Sequence, residues 1–177
     1  MKDSSLIPSW NVSTSNATTV FVQRSLNLSG HSEFCNSAMT GGGLYSIDST
    51  LDFPETYTLI FTANTATNAG GGFATVGSTV NTIGSMAFET NSAMSGGGMY
   101  LEDTKVNLSG RNNFNQNHAH YEGGAVYIRA GNANFSGTDN FVNNSAAMRG
   151  GSISAACSNL TFSGNTTVCK SASQQGG

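Results

Sequence analysis

Charge is what this sequence has least of. Asp, Glu, Lys and Arg make up 10% of its 177 residues, against about 25% in ordinary soluble domains. A solvated disordered segment draws its polarity from Glu, Lys and Pro, and here only two prolines occur. So few prolines beside 22 glycines without a three-residue period also exclude collagen. Seven basic against ten acidic residues leave a net charge of −3, which argues against a phosphate-binding surface and a nucleic-acid partner. No apolar run approaches the roughly 18 residues of a membrane-spanning helix. The three cysteines, Cys35, Cys157 and Cys169, are odd in number and form no C-x-x-C pair, so neither a zinc site nor a disulfide framework is supported. The opening MKDSSLIPSW lacks the apolar core of an export signal.

What is abundant is small and polar. Glycine with 24 Ser, 19 Thr and 20 Asn accounts for nearly half of the chain, a composition that fits a stacked repeat. Phe34, Phe61, Phe88, Phe114, Phe141 and Val168 lie 27, 27, 26, 27 and 27 residues apart. Three residues after four of these phenylalanines stand Asn64, Asn91, Asn117 and Asn144. Glycine runs follow at 41–43, 70–72, 96–98, 123–124 and 150–151, and an apolar residue before Ser-Gly precedes most units. Eight Asn-x-Ser/Thr acceptors exceed chance only modestly, and suit a eukaryotic secretory route or a bacterial surface protein alike.

Inside each unit, Met99-Tyr100-Leu101-Glu102 and Val126-Tyr127-Ile128-Arg129 alternate apolar and polar residues, as do the stretches before Ser-Gly. Period two in short runs bounded by Gly, Asn and Ser reads as β-strand. Each unit holds at least two strands, with F-x-x-N as a third short side. The expected fold is an all-β, right-handed parallel β-helix of about 27 residues per coil and roughly five to six coils. Residues 27 apart should stack, with apolar columns such as Met99/Val126/Ile153 inside and asparagine ladders at a turn. Glu102 should face Arg129, and Glu122 should face Arg149. Pro54 and the irregular stretch 74–87 suggest a bulge or loop in the middle coils. Residues 1–19 form a polar segment or cap, with Trp10 over the first coil, and residues 20–177 form the repeats. The absence of a matching C-terminal cap points to truncation from a longer array, with end-to-end self-association or fraying of the last coil.

The pairing of GGAV (123–126) or GGGM (96–99) with Phe114/Asn117, Phe141/Asn144 and Phe88/Asn91 resembles the polymorphic outer-membrane protein repeats of chlamydiae. Those carry GGA(I/L/V) and FxxN tetrapeptides in an autotransporter passenger region. Similar arrays occur in large β-helix surface proteins predicted from some eukaryotes. The resemblance covers residues 26–168; the end units, Phe34-Cys35-Asn36-Ser37 and Val168-Cys169-Lys170-Ser171, depart from FxxN. It implies an extracellular or cell-surface location, the outer membrane in a bacterium, and an adhesive role towards a protein receptor or glycan.

No catalytic, cofactor-binding or metal-ligating residue can be assigned from the residues themselves. Asp48 and Asp103 occupy matching places after the glycines, with Glu102 beside Asp103, yet two coils separate the aspartates and no group converges with them. His118 and His120 share a strand face but lack a third ligand. The glycine runs are not followed by the Lys-Ser/Thr of a phosphate loop, and the threonines form no ice-binding column. Tyr45, Tyr100 and Tyr127 follow the glycines at matching positions, point outward, and offer an aromatic column to a sugar or a protein. The expected function is a non-catalytic surface module; the alternative is a carbohydrate-active β-helix enzyme, a polysaccharide lyase or hydrolase.

Overall fold

The computed structural model describes residues 13–15, 20–27 and 31–176. These are all β, without a helix, and every sheet is parallel. The chain winds into a β-solenoid of about five turns at close to 27 residues per turn. One turn comprises Ser85–Glu89, Ser92–Ser95, Met99–Glu102 and Lys105–Leu108. The coils from Thr58 onward thus have four short strands each, one more than the sequence pattern indicated, whereas the coil before them merges the last two into Leu44–Phe53. Coils stack into sheets of seven, five and ten strands. The ten-stranded sheet takes two strands per coil, because Leu44–Phe53 runs unbroken past both Phe73–Val76 and Thr79–Thr82.

Alternation along each strand turns one face inward. Phe34, Phe61, Phe88, Phe114 and Phe141 stack up the lumen with ring centroids 4.7–4.8 Å apart, the spacing of paired strands. Met99/Val126/Ile153 and Leu108/Phe135/Phe162 form the other expected columns, paired residue on residue. These side chains are buried through the middle coils, each contributing about 2–3 kcal/mol of apolar transfer. In the outermost coil Phe162 and Val168 are 43% and 50% exposed.

The corners explain the motifs. The residue before each motif asparagine, Ala63, Thr90, Gln116 or Asn143, has φ between +54° and +56°. The first glycine of each run is also left-handed, from Gly41 at +59° to Gly150 at +57°. The second glycine is required for a different reason: a Cβ on Gly71 or Gly97 would strike a glycine carbonyl one coil on. The third position holds Ala125 and Ser152 in two coils, whereas a Cβ on Gly43, Gly72 or Gly98 would come within 2.8–2.9 Å of the carbonyl one coil on.

Asn64, Asn91, Asn117 and Asn144 are fully buried at the first corner. Each Nδ2 donates at 2.9 Å to a phenylalanine carbonyl one coil back. The first three also donate to the next asparagine's Oδ1 at 2.8–3.0 Å. The ladder at this turn is therefore a core element. A second ladder, which the sequence reading missed, runs through hydroxyls. Ser78 Oγ accepts the Ser49 N–H at 3.1 Å, Thr104 Oγ1 accepts the Ser78 N–H at 3.4 Å, and Ser158 Oγ accepts the Gly131 N–H at 3.2 Å.

Two expectations change. Asn36 does join the asparagine corner, since its N–H donates to Asn64 Oδ1 at 2.6 Å; F-x-N is simply one residue shorter and skips the left-handed residue. The stretch 74–87 is regular, in register with the coils on both sides. It looked irregular because Thr75 takes the inward position that Leu101 and Ile128 hold in the following coils, and Thr82 the one that Phe53, Leu108 and Phe135 hold. The expected loop is at Pro54 alone: Pro54-Glu55-Thr56-Tyr57 is closed by the Tyr57 N–H donating to the Pro54 carbonyl at 2.9 Å. Of the expected N-terminal cap, Trp10 lies outside the described residues, whereas Ser13–Ser15 is a strand paired with His31–Cys35.

Candidate functional site

The glycine corner is flat because two successive positions carry no side chain, and it is flanked by larger groups on both sides. Beyond it, Tyr45, Tyr100 and Tyr127 stand on one outward column of the ten-stranded sheet. The column is interrupted: Ala74 pairs with both Tyr45 and Tyr100, and is itself fully buried. Tyr100 and Tyr127 are neighbours, their half-buried rings stacked at 5.5 Å and 20°. Before the corner, Met39 and Tyr121 on the five-stranded sheet and Met148 in the bend after its last strand are 72%, 48% and 42% exposed.

Charges frame the tyrosine pair. Arg129 meets Glu102 at 3.4 Å and Arg149 meets Glu122 at 3.1 Å, so both anticipated pairs form. Tyr100 Oη donates to Glu102 Oε2 at 2.9 Å. Burial, then that hydrogen bond and the carboxylate's charge, push the Tyr100 pKa up to about 12. Burial and then Glu122 raise that of Tyr127. Both phenols therefore stay neutral donors throughout the physiological range. The face offers aromatic carbon, hydroxyl donors and compensated charge, suited to a neutral polar partner.

The other candidates fall into structural places. Asp48 and Asp103 occupy the third left-handed corner at φ +47° and +48°, in the same column as Gly77, Ala130 and Cys157. Aspartate tolerates that conformation better than most residues, which accounts for the match between them. Glu102 is held by Arg129 and Tyr100. His118 and His120 meet edge to face at 5.1 Å, and His118 Nδ1 lies 3.0 Å from Ser145 Oγ. Burial, with His120 adding to it, lowers the His118 pKa. Among the described residues no three of His, Cys, Asp and Glu gather as metal ligands, and all three cysteines are exposed thiols. Phe61, Phe88, Phe114 and Phe141, with their asparagines, belong to the lumen. No family model, curated protein or solved structure matches the chain.

Proposed function

We propose that this solenoid is a non-catalytic interaction module displayed outside the cell or on its surface, as in the chlamydial polymorphic outer-membrane protein passengers that its motifs resemble. The observation that carries the reading is the Tyr100–Tyr127 pair, held outward on a flat parallel sheet beside Glu102–Arg129. A rigid aromatic pair loses little side-chain freedom on binding, and its hydroxyls add direction. The partner is a glycan or a receptor protein that lays a flat face on it. The test is a glycan array together with a panel of surface receptors, read for binding and, on polysaccharides with Ca²⁺, for cleavage. Changing both tyrosines to alanine should weaken any binding at least tenfold while leaving the β-sheet circular dichroism unchanged. Binding indifferent to that change would reject the face. Cleavage abolished by Asp103→Asn or Glu102→Gln would replace the module with an enzyme.

A further inference from the structure

Among the described residues Asp139 is the one acidic or basic side chain that is fully buried. The strand Thr138–Val142 turns it into the lumen beside Phe141, between Asn112 on one coil and Thr166 on the next. Asn112 Nδ2 donates to Asp139 Oδ1 at 2.7 Å. The second carboxyl oxygen has no partner, nor do the buried Asn112 Oδ1 and Thr166 Oγ1. Among the described residues no cation answers the carboxyl. Arg111 on the strand below and Cys169 on the strand above, with Lys170 after it, are exposed on the outer side. The strands Asn132–Phe135 and Asn159–Phe162 contain no titratable side chain.

A carboxylate held there would be a buried charge with one orphaned oxygen, which is strongly unfavourable. A carboxylic acid in the same place avoids most of that penalty. We propose that the lumen site between Asn112 and Thr166 is a proton-dependent latch: the neutral Asp139 carboxylic acid fits it and the carboxylate does not, so the coils around it are tighter while the carboxyl holds its proton and looser once it has ionised. Burial raises its pKa, opposed only in part by the Asn112 hydrogen bond. Because the folded value lies above the unfolded one, the native state keeps the proton after the unfolded chain has lost it. Stability then falls as pH climbs from the unfolded value through the folded one, and is level beyond. The coil most affected is the one that covers Asp139, through Asn165–Cys169.

The experiment is a carboxyl-carbon NMR titration of the 177-residue chain, with urea midpoints followed across the same pH range. The Asp139 resonance should titrate above about 3.9, and the urea midpoint should drop through that interval. Asp139→Asn should remove this drop. A titration midpoint at or below the ordinary value overturns the proposal, as does an identical pH slope in both proteins. Should Asp139→Asn fail to fold, the wild-type resonance decides alone.

Discussion

A buried asparagine side chain can make four hydrogen bonds, and Asn117 makes them all. It accepts from the Asn91 N–H and Nδ2, and donates to the Phe88 carbonyl and Asn144 Oδ1. Asn117→Ala orphans several polar groups in a corner that water does not reach. Since each costs about 1–3 kcal/mol, chemical denaturation should show a loss of about 3–4 kcal/mol. Asn140, whose amide donates to Asn113 at 3.0 Å on the outer side, should lose under about 1 kcal/mol as alanine. Similar losses at the two sites would mean that the ladder stabilises nothing. Thr90 offers the opposite experiment. It is β-branched at φ +54°, where glycine carries no steric penalty, so Thr90→Gly should raise stability by about 0.5–1 kcal/mol. A lower melting temperature would show that flexibility gained in the unfolded chain outweighs the strain relieved. The asparagine ladder could be read from its spacing because asparagine recurs there and few other positions repeat so cleanly. The hydroxyl ladder could not. Ser49, Ser78, Thr104 and Ser158 are lost among 43 serines and threonines, and Gly131 breaks their column.

At the scale of strands, register was the readable quantity. A 27-residue period fixes which residues pair, and the phenylalanine and glycine columns carry it whatever the intervening sequence. Glu102–Arg129 and Glu122–Arg149 follow from it directly. Both arginines are well exposed, so screening limits what the pairs contribute. A double-mutant cycle on Glu102 and Arg129 should give a coupling of about 0.5 kcal/mol or less, reduced further by high salt. A coupling above about 2 kcal/mol would mean that the pair is far less hydrated than its exposure indicates. Strand count was harder to read. The third left-handed corner is filled by Asp48, Gly77, Asp103, Ala130 and Cys157, five positions with four residue types and no motif to betray them. The tyrosine column shows the same limit: spacing aligned Tyr45, Tyr100 and Tyr127, but the coil between the first two contributes Ala74. Nothing in the run Phe73–Val76 marks it as part of that face.

A solenoid's coils contact mainly their neighbours, so the whole is approximately a sum of units and interfaces. Removal of one coil is then a test of the entire architecture. Deleting residues 58–84 excises 27 residues and joins Tyr57 to Ser85, which already takes the Thr58 register on the next coil. Phe34 would stack on Phe88, the Asn36 N–H would face Asn91, and Leu44 would pair with Met99. The excised coil also carries Thr75 and Thr82, whose buried hydroxyls lack partners, so the shortened lumen loses two unfavourable groups. Its outward consequence is specific: with Ala74 gone, Tyr45 pairs with Tyr100 and the column becomes continuous through Tyr127. The shortened chain should fold to a β-rich monomer with a smaller urea m-value, in proportion to the surface no longer buried. Tyrosine fluorescence should change as a third ring joins the stacked pair. If the deletion leaves an unfolded chain, the coils are not interchangeable units, and the solenoid depends on long-range features that its repeat does not encode.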